Sequence, residues 1–560
     1  MMKTRHGQAS SPRRPLARGA IWAAAAWLSL AAAAAGASSA GHPLEARVDG
    51  GLVRGTVEHG VIAFKGIPYA QPPVGSLRWM PPRRVKSWTG VRPALHYGPD
   101  CMQVPFPGDA APLRTTPAEN CLYANVWRPR GASAHGLPVM VWIYGGGFVN
   151  GGSSPAVYDG TEFARDGVVL VSFNYRLGNF GFFAFPALTR ELTRRGDPVG
   201  NYAFMDQIAA LKWVQRNIAA FGGDPHNVTL FGESAGGISV GTLLGTPLAA
   251  GLFERAIIES GGGRPGIFPP RLVSGSSSSA EAMGVKLAQH FGIVGEGAQA
   301  LAKLRELPAA TLLGGLNMAT MMQGKDQTYV GGPILDGKLN LGAPTQVFAR
   351  GGGARVPVMI GTNSADIGFL PAKSLAALFA MYGPDAKAAK AVYDPSGQLP
   401  LQLVSFRAGG DLWMVEPARA ISRILSARGQ PVYEYRFSYV ASSLLDTQFG
   451  KVGAMHASEI PYAFDTVRAH YGKETSSADE AMAGAMHKYW VAFAKTGKPD
   501  PAGLPAWPAY HESADELLNF TERGPKPEAD PWKKRLDVAE RFAERQEAAR
   551  SQIKTAGTEH

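Results

Sequence analysis

Gly232-Glu233-Ser234-Ala235-Gly236 stands directly after the short apolar run Val228-Thr229-Leu230-Phe231 and opens a segment, Ile238 to Leu244, that can be helical. A serine on so sharp a strand-to-helix turn holds its hydroxyl out at the carboxyl edge of a sheet, and the flanking glycines give the turn room. The five-residue pattern alone says little in a chain with 68 glycines; the strand before it and the helix after it give it weight. Such a serine attacks a carbonyl carbon, so it needs a base to take its proton and donors for the oxyanion that develops. Backbone amides on a glycine-rich loop supply those donors with no side chain in the way, and Gly145-Gly146-Gly147-Phe148 closes an earlier apolar run. The expected donors are the amides of Gly146, Gly147 and Ala235.

In a sheet of this kind the chain order is serine, acid, histidine. Downstream of Ser234, the segment Gly361 to Asp366 follows the apolar run Val356 to Ile360, and Gly453-Ala454-Met455-His456 follows the strands near Tyr433. Both are loops after strands. His456 is therefore the expected general base and Asp366 the expected acid that orients it. Asp336, in Pro333-Ile334-Leu335-Asp336-Gly337, reads as a turn residue, and Glu459 as a maker of local structural bonds. Phe148 and Met455, next to these positions, are expected to add apolar surface to the pocket, with core packing as the plain alternative.

The elements that must position these residues alternate along the chain. Short strands and turns are expected from Gly51 to Pro82, then buried strands over 138–144, 168–176, 228–231, 256–258, 356–360 and 432–437. The continuous apolar run 138–144 and the β-branched, aromatic run 168–176 suit strands covered on both faces. Between the second and third lies Met205 to Ala220, with Ile208, Leu211, Trp213, Val214 and Ile218 at roughly helical spacing, stopped by Gly222-Gly223-Asp224-Pro225. Strand, helix, strand in that order predicts a large, mostly parallel, doubly wound α/β sheet flanked by helices, with loop and helical insertions. The charged stretch Asp530 to Gln552, with Leu536, Ala539 and Phe542 on one face, predicts a surface helix packing back on the body, an oligomer contact being the alternative.

These motifs resemble the type B carboxylesterase, or cholinesterase-like, family of the α/β-hydrolase fold. The likeness is carried by Gly66 to Ala70, Gly75 to Trp79, Glu119 to Tyr123, Val141 to Phe148, Asn174-Tyr175-Arg176, Gly200-Asn201-Tyr202, Phe221 to Pro225, Phe231 to Gly237, Gly453 to Phe464, Phe493 to Gly497 and Trp507-Pro508. The resemblance implies Ser234 as nucleophile, His456 as base, Cys101 with Cys121 as the family's first disulfide, and Arg78 with Glu119 as a structural ion pair. It also implies that Ser260 hydrogen-bonds around the acid. One departure stands out: family members commonly place Glu before Gly where this chain has Asp366-Ile367-Gly368. An aspartate is one methylene shorter, so its loop must come closer to His456.

Composition narrows the rest. The 560 residues are 45% hydrophobic and 18% charged, ample for a large core, and a single catalytic domain over 41–560 is expected. Residues 1–40 carry Lys3, Arg5, Arg13, Arg14 and Arg18, an apolar run from Ala20 to Ala35 and a small-residue exit, which predicts a cleaved export signal and a periplasmic or extracellular protein with no stable membrane anchor. Pro12 and Pro15 make a poor twin-arginine signal, so the export route stays open. Those forty residues hold five of the 56 Lys and Arg and none of the 45 Asp and Glu, so the net charge falls from +11 to +6. No basic stripe interleaved with aromatics supports nucleic-acid binding. Two cysteines in an oxidising compartment read as one disulfide, with two free thiols as the alternative.

Gly261 to Gly266 matches a dinucleotide pattern only by letters, since Pro265 interrupts it; no phosphate loop or His-Glu-x-x-His occurs, and no cofactor or metal is expected. The reading is a serine hydrolase acting through an acyl-enzyme on a small or medium carboxylic ester. Amide, thioester or lactone hydrolysis is the nearest alternative and a non-catalytic binding protein the remoter one. Neither the substrate nor the oligomeric state is legible.

Overall fold

A computed structural model describes residues 44–106, 108–131, 135–265, 272–273, 279–323, 329 and 332–556. The export segment expected over 1–40 lies outside them. The main body begins at Ala46.

Its frame is an eleven-stranded sheet. In chain order the strands are β1 Thr56–Glu58, β2 Val61–Pro68, β3 Tyr123–Arg128, β4 Leu137–Ile143, β5 Val169–Phe173, β6 Gly223–Glu233, β7 Arg255–Glu259, β8 Val358–Asn363, β9 Val432–Phe437, β10 Glu516–Thr521 and β11 Gly524–Ala529. Across the sheet they lie in the order β11-β10-β9-β8-β7-β6-β4-β5-β3-β2-β1. The seven from β10 to β5 pair in parallel, and both flanks are antiparallel. Every residue of β5, β8 and β9 is buried, polar ones such as Ser172, Glu434 and Arg436 included, so both faces of the sheet are covered here.

Helices named below are α1 Tyr202–Asn217, α2 Ala235–Gly245, α3 Met318–Met322, α4 Glu416–Ala427, α5 Val467–Tyr471, α6 Ser477–Thr496 and α7 Lys533–Ala556. The helix expected to reach Ala220 tightens into a 3₁₀ turn at Ile218–Phe221 and stops at Gly222, which takes a left-handed φ of 85°. Helix α7 packs back on the body as expected: Leu536, Ala539 and Phe542 are buried. Arg423 of α4 grips Glu540 at 2.6 Å and Arg419 grips Asp537.

Strand order reverses beside β4. The chain leaves β4 for β5 on one side and returns to β6 on the other, opening a crevice at the carboxyl ends of β4 and β6, where open α/β sheets bind ligands. The glycine loop leaves the end of β4 and Ser234 the end of β6, so sheet topology brings together groups nearly ninety residues apart in sequence.

Candidate active site

Ser234 sits between β6 and α2 with φ 55° and ψ −120°, a region in which a non-glycine residue costs about 1–3 kcal/mol. The neighbours hold it there. Its amide donates to the Glu259 carbonyl at 2.9 Å, and its own carbonyl accepts from Ile238 at 2.8 Å to start α2. The flanking glycines are needed for close approach: a Cβ on Gly232 would lie 2.5 Å from the Ile143 carbonyl oxygen, and one on Gly236 only 2.0 Å from it.

His456 Nε2 lies 2.9 Å from Ser234 Oγ, and its Nδ1 lies 2.6 Å from Asp366 Oδ1. The three residues, 222 and 90 apart in sequence, thus form one hydrogen-bonded chain. Asp366 is buried and fully engaged. Oδ1 also accepts from the Ile367 amide at 2.8 Å, while Oδ2 accepts from Ser260 Oγ at 2.7 Å and from the Asn363 amide at 3.0 Å. Burial pushes the carboxyl up, but the His456 charge and these donors outweigh it and leave Asp366 below the ordinary aspartate value. Burial likewise pushes His456 down, and Asp366 overrides it, leaving the imidazole more basic than usual. The shorter aspartate is met by its loop: Ala365 bridges to Met455 and donates to the Ala454 carbonyl at 2.8 Å.

Gly146, Gly147 and Phe148 all take positive φ, 94°, 61° and 64°. That curl turns the loop back so that the Gly146 carbonyl accepts from Val149 and Asn150. The amides of Gly146, Gly147 and Ala235 meet no acceptor among the described residues. The Ala235 amide also sits at the positive end of α2. Of the three residues, Gly146 lines the same cavity as Ser234, and free N–H groups facing a reacting serine are what an oxyanion requires.

Three carboxyls that sequence reasoning did not assign to the site lie beneath it. Glu233 Oε1 is 3.2 Å from His456 Nε2. Burial, then Glu459, Asp366 and Glu259, push Glu233 well above the ordinary range. Burial raises Glu259 to about 7 against the pull of the Trp490 indole N–H on its Oε1. Burial and Glu259 raise Glu459 to about 8. Glu459 bonds its own backbone, as expected of it, and reaches further as well. It accepts from Asn363 Nδ2 at 2.5 Å, across to β8, because the His456 loop turns inward over the sheet. A polar residue inside an apolar strand, as in Ile257-Ile258-Glu259, is the signal that could have flagged this cluster.

Other expectations sort clearly. Asp336 accepts the amides of Lys338, Leu339 and Asn340, a turn as expected. Arg78 binds Glu119 through two bonds of 2.5 and 2.8 Å. Cys101 and Cys121 are joined. Phe148 is not a pocket wall: it is fully buried against Phe182 and Phe204, its positive φ having swung the ring into the core. Met455 does not line the pocket either; its carbonyl instead accepts from Asn363. Walls come from Phe106, Val157, Tyr158, Met318, Ile460 and Pro461, around a cavity of about 230 Å³ that reaches Ser234 and His456. Among the described residues no group of His, Cys, Asp and Glu could hold a metal ion, and no helix is long and apolar enough to cross a membrane.

The profile of the Carboxylesterase family matches residues 43–395 and 402–538. Fumonisin B1 esterase of Sphingopyxis macrogoltabida is 36% identical over 487 residues, covering 84% of this chain and 85% of the relative. Para-nitrobenzyl esterase of Bacillus subtilis (strain 168) is 36% identical over 488 residues, covering 84% and 93%. A solved PNB esterase structure superposes with a TM-score of 0.74 at 33% identity, covering 89% of this chain and 99% of the other.

Proposed function

This chain belongs to the carboxylesterase family and is a carboxylic-ester hydrolase, and from that premise we propose that it works by two-step acyl transfer on Ser234. His456 takes the Ser234 proton as Oγ attacks the ester carbonyl. The amides of Gly146, Gly147 and Ala235 hold the oxyanion, and Asp366 keeps the imidazole in the tautomer that presents a bare Nε2 to the serine and balances its charge once protonated. Collapse of the tetrahedral intermediate breaks the ester C–O bond, the alcohol leaves with the proton from His456, and a water activated by the same nitrogen releases the acid.

The observation that carries this reading is the continuous chain Ser234 Oγ, His456, Asp366 at 2.9 and 2.6 Å. A cavity of about 230 Å³ suits a small or medium ester, being below the usual range of about 300–1,000 Å³ for drug-sized ligands. The test is turnover of p-nitrophenyl esters of increasing acyl length by the wild type and by Ser234→Ala. Loss of about a thousandfold or more in the variant, with folding intact, is expected; a variant retaining most of its activity contradicts the assignment.

We also propose that residues 41–560 form one catalytic domain, exported after removal of 1–40. The paired Cys101 and Cys121 support an oxidising compartment.

A further inference from the structure

Ser260, whose hydroxyl donates to Asp366, follows β7 with a positive φ of 45°, a backbone region that strains any residue carrying a Cβ. Its amide donates to the Gly361 carbonyl of β8 at 2.9 Å. The chain then runs through Gly261, Gly262 and Gly263 in a slot with no room for side chains. A Cβ on Gly261 would lie 2.5 Å from Ile258 Cγ2, one on Gly262 2.9 Å from the Trp413 carbonyl oxygen, and one on Gly263 2.6 Å from Ile421 Cδ1. The slot is thus walled by β7, the π-turn Asp411–Val415 and α4. Three glycines in a row have the most backbone freedom to lose and no side chain to grip with, so the run keeps its course only through these walls and its two ends.

The far end is Arg264. Its Nε donates to Glu416 Oε2 at 2.9 Å and to Oε1 at 3.2 Å, its Nη2 donates to the same Oε1, and its Nη1 donates to Glu547 Oε1 at 3.1 Å. Glu416 opens α4 and is buried, while Glu547 belongs to α7 and is half-buried. A planar guanidinium gripped by two carboxylates is fixed in direction as well as in distance. Thr345 adds its amide and hydroxyl to the Gly263 carbonyl at 3.2 and 2.9 Å, and Arg550 of α7 donates to the Pro265 carbonyl at 2.8 Å. Among the described residues that line the cavity at Ser234, none belongs to this anchorage. It touches the site only along the chain, through Ser260.

We propose, resting on the acyl-transfer reading above, that Arg264 is a positioning residue for the triad: anchored on Glu416 and Glu547, it holds the glycine run in its slot and so keeps Ser260 in the strained backbone that aims its hydroxyl at Asp366. Helix α7 is then a strap whose C-terminal half reaches the catalytic acid through two residues. When the anchor is lost, Ser260 relaxes toward ordinary backbone and Asp366 loses one of its four donors. His456 is then oriented less well, which slows each proton transfer it makes. Ester binding is untouched, because the anchorage lies outside the cavity wall.

The test is a double-mutant cycle on p-nitrophenyl butyrate hydrolysis: wild type, Arg264→Met, Ser260→Ala and the two changes together, each checked for fold by circular dichroism. Methionine keeps the bulk of the arginine stem, and burial already raises the Glu416 carboxyl against the pull of Arg264, so that carboxyl takes a proton once its partner is gone. Each single variant is expected to lose about tenfold in kcat with KM unchanged, and the double variant to be no slower than Ser260→Ala alone, because Arg264 acts only through Ser260. A merely structural Arg264 would multiply the two losses instead. Glu547→Gln, which removes the half-buried arm and leaves Glu416 paired, should lose about threefold in kcat, again only while Ser260 is present; it decides the matter if Arg264→Met does not fold, an unchanged kcat there overturning the proposal. Losses that multiply, a change carried by KM, or either single variant within about twofold of wild-type kcat also overturn it and leave ester hydrolysis intact. Failure of the folded wild type to cleave the ester overturns the underlying reading, and the proposal with it.

Discussion

Replacing Asp366 by asparagine probes how the histidine is held. Four donors converge on the carboxylate: His456 Nδ1 at 2.6 Å and the Ile367 amide at 2.8 Å on Oδ1, Ser260 Oγ at 2.7 Å and the Asn363 amide at 3.0 Å on Oδ2. An amide side chain has only one oxygen to offer them. With its oxygen toward His456, its nitrogen faces the Asn363 N–H, and Ser260 must reverse its hydroxyl. With its nitrogen toward His456, it faces the Ile367 N–H and makes Nδ1 an acceptor, which moves the ring proton to Nε2 and leaves Ser234 without a base. Either orientation buries one donor against another, at a cost of about 1–3 kcal/mol in stability.

The catalytic loss is larger. A unit pair about 4 Å apart at an effective dielectric of about 20 is worth about 4 kcal/mol, close to a factor of a thousand in rate. Loss of the correct tautomer brings the expected fall in kcat to about ten-thousandfold. The assay is p-nitrophenyl butyrate turnover normalised to folded protein, with circular dichroism to confirm the fold. An Asp366→Asn variant within tenfold of wild type would refute the reasoning and shift attention to Glu459 as the acid.

Two further outcomes follow from the same geometry. Because Asp366 holds His456 above its ordinary value, and the base must be unprotonated to act, kcat/KM should fall as pH drops through a value above 6.5; in Asp366→Asn, with only Glu459 left to oppose burial, residual activity should show that limb moved to lower pH. Gly236→Ala, whose Cβ would meet backbone at 2.0 Å, should destabilise by about 3 kcal/mol or more; Gly484→Ala in α6, where nothing lies within 4 Å, should stabilise by about 0.5–1 kcal/mol. Chemical denaturation of the two variants side by side checks the contrast.

How much of this was legible depends on what each signal measures. The strand at Val432–Phe437 appears with the bounds read from the sequence, although the buried Glu434 and Arg436 interrupt its apolar residues. The run 168–176 overstates its strand, which ends at Phe173. Tyr175 leaves the ladder to stack on Tyr144, and Arg176 leaves it to pair with Asp206, contacts that side-chain character cannot announce. The strand expected over 356–360 is shifted to Val358–Asn363, because its carboxyl end is held by Asn363, a polar residue with buried partners. The antiparallel edge β10 and β11 escaped notice because Pro525 and Pro527 mask β11, although prolines are tolerated on an edge strand.

In the site, the serine turn and glycine loop were readable because their backbone demands glycine. The order of acid and histidine could be read, but their approach to Ser234 could not, since it depends on strand order across the whole sheet. The buried acids Glu233, Glu259 and Glu459 carry no motif of their own; only their common depth links them.

The most direct test of the central claim is to trap the acyl-enzyme. The protein is mixed with a slowly deacylating p-nitrophenyl ester, quenched in acid within the burst, and analysed by intact mass and peptide mapping. The account predicts one equivalent of p-nitrophenol released in the burst and one acyl group on the peptide containing Ser234, both absent in Ser234→Ala. An acyl group on a different residue, or a burst that survives the Ser234→Ala change, would contradict it.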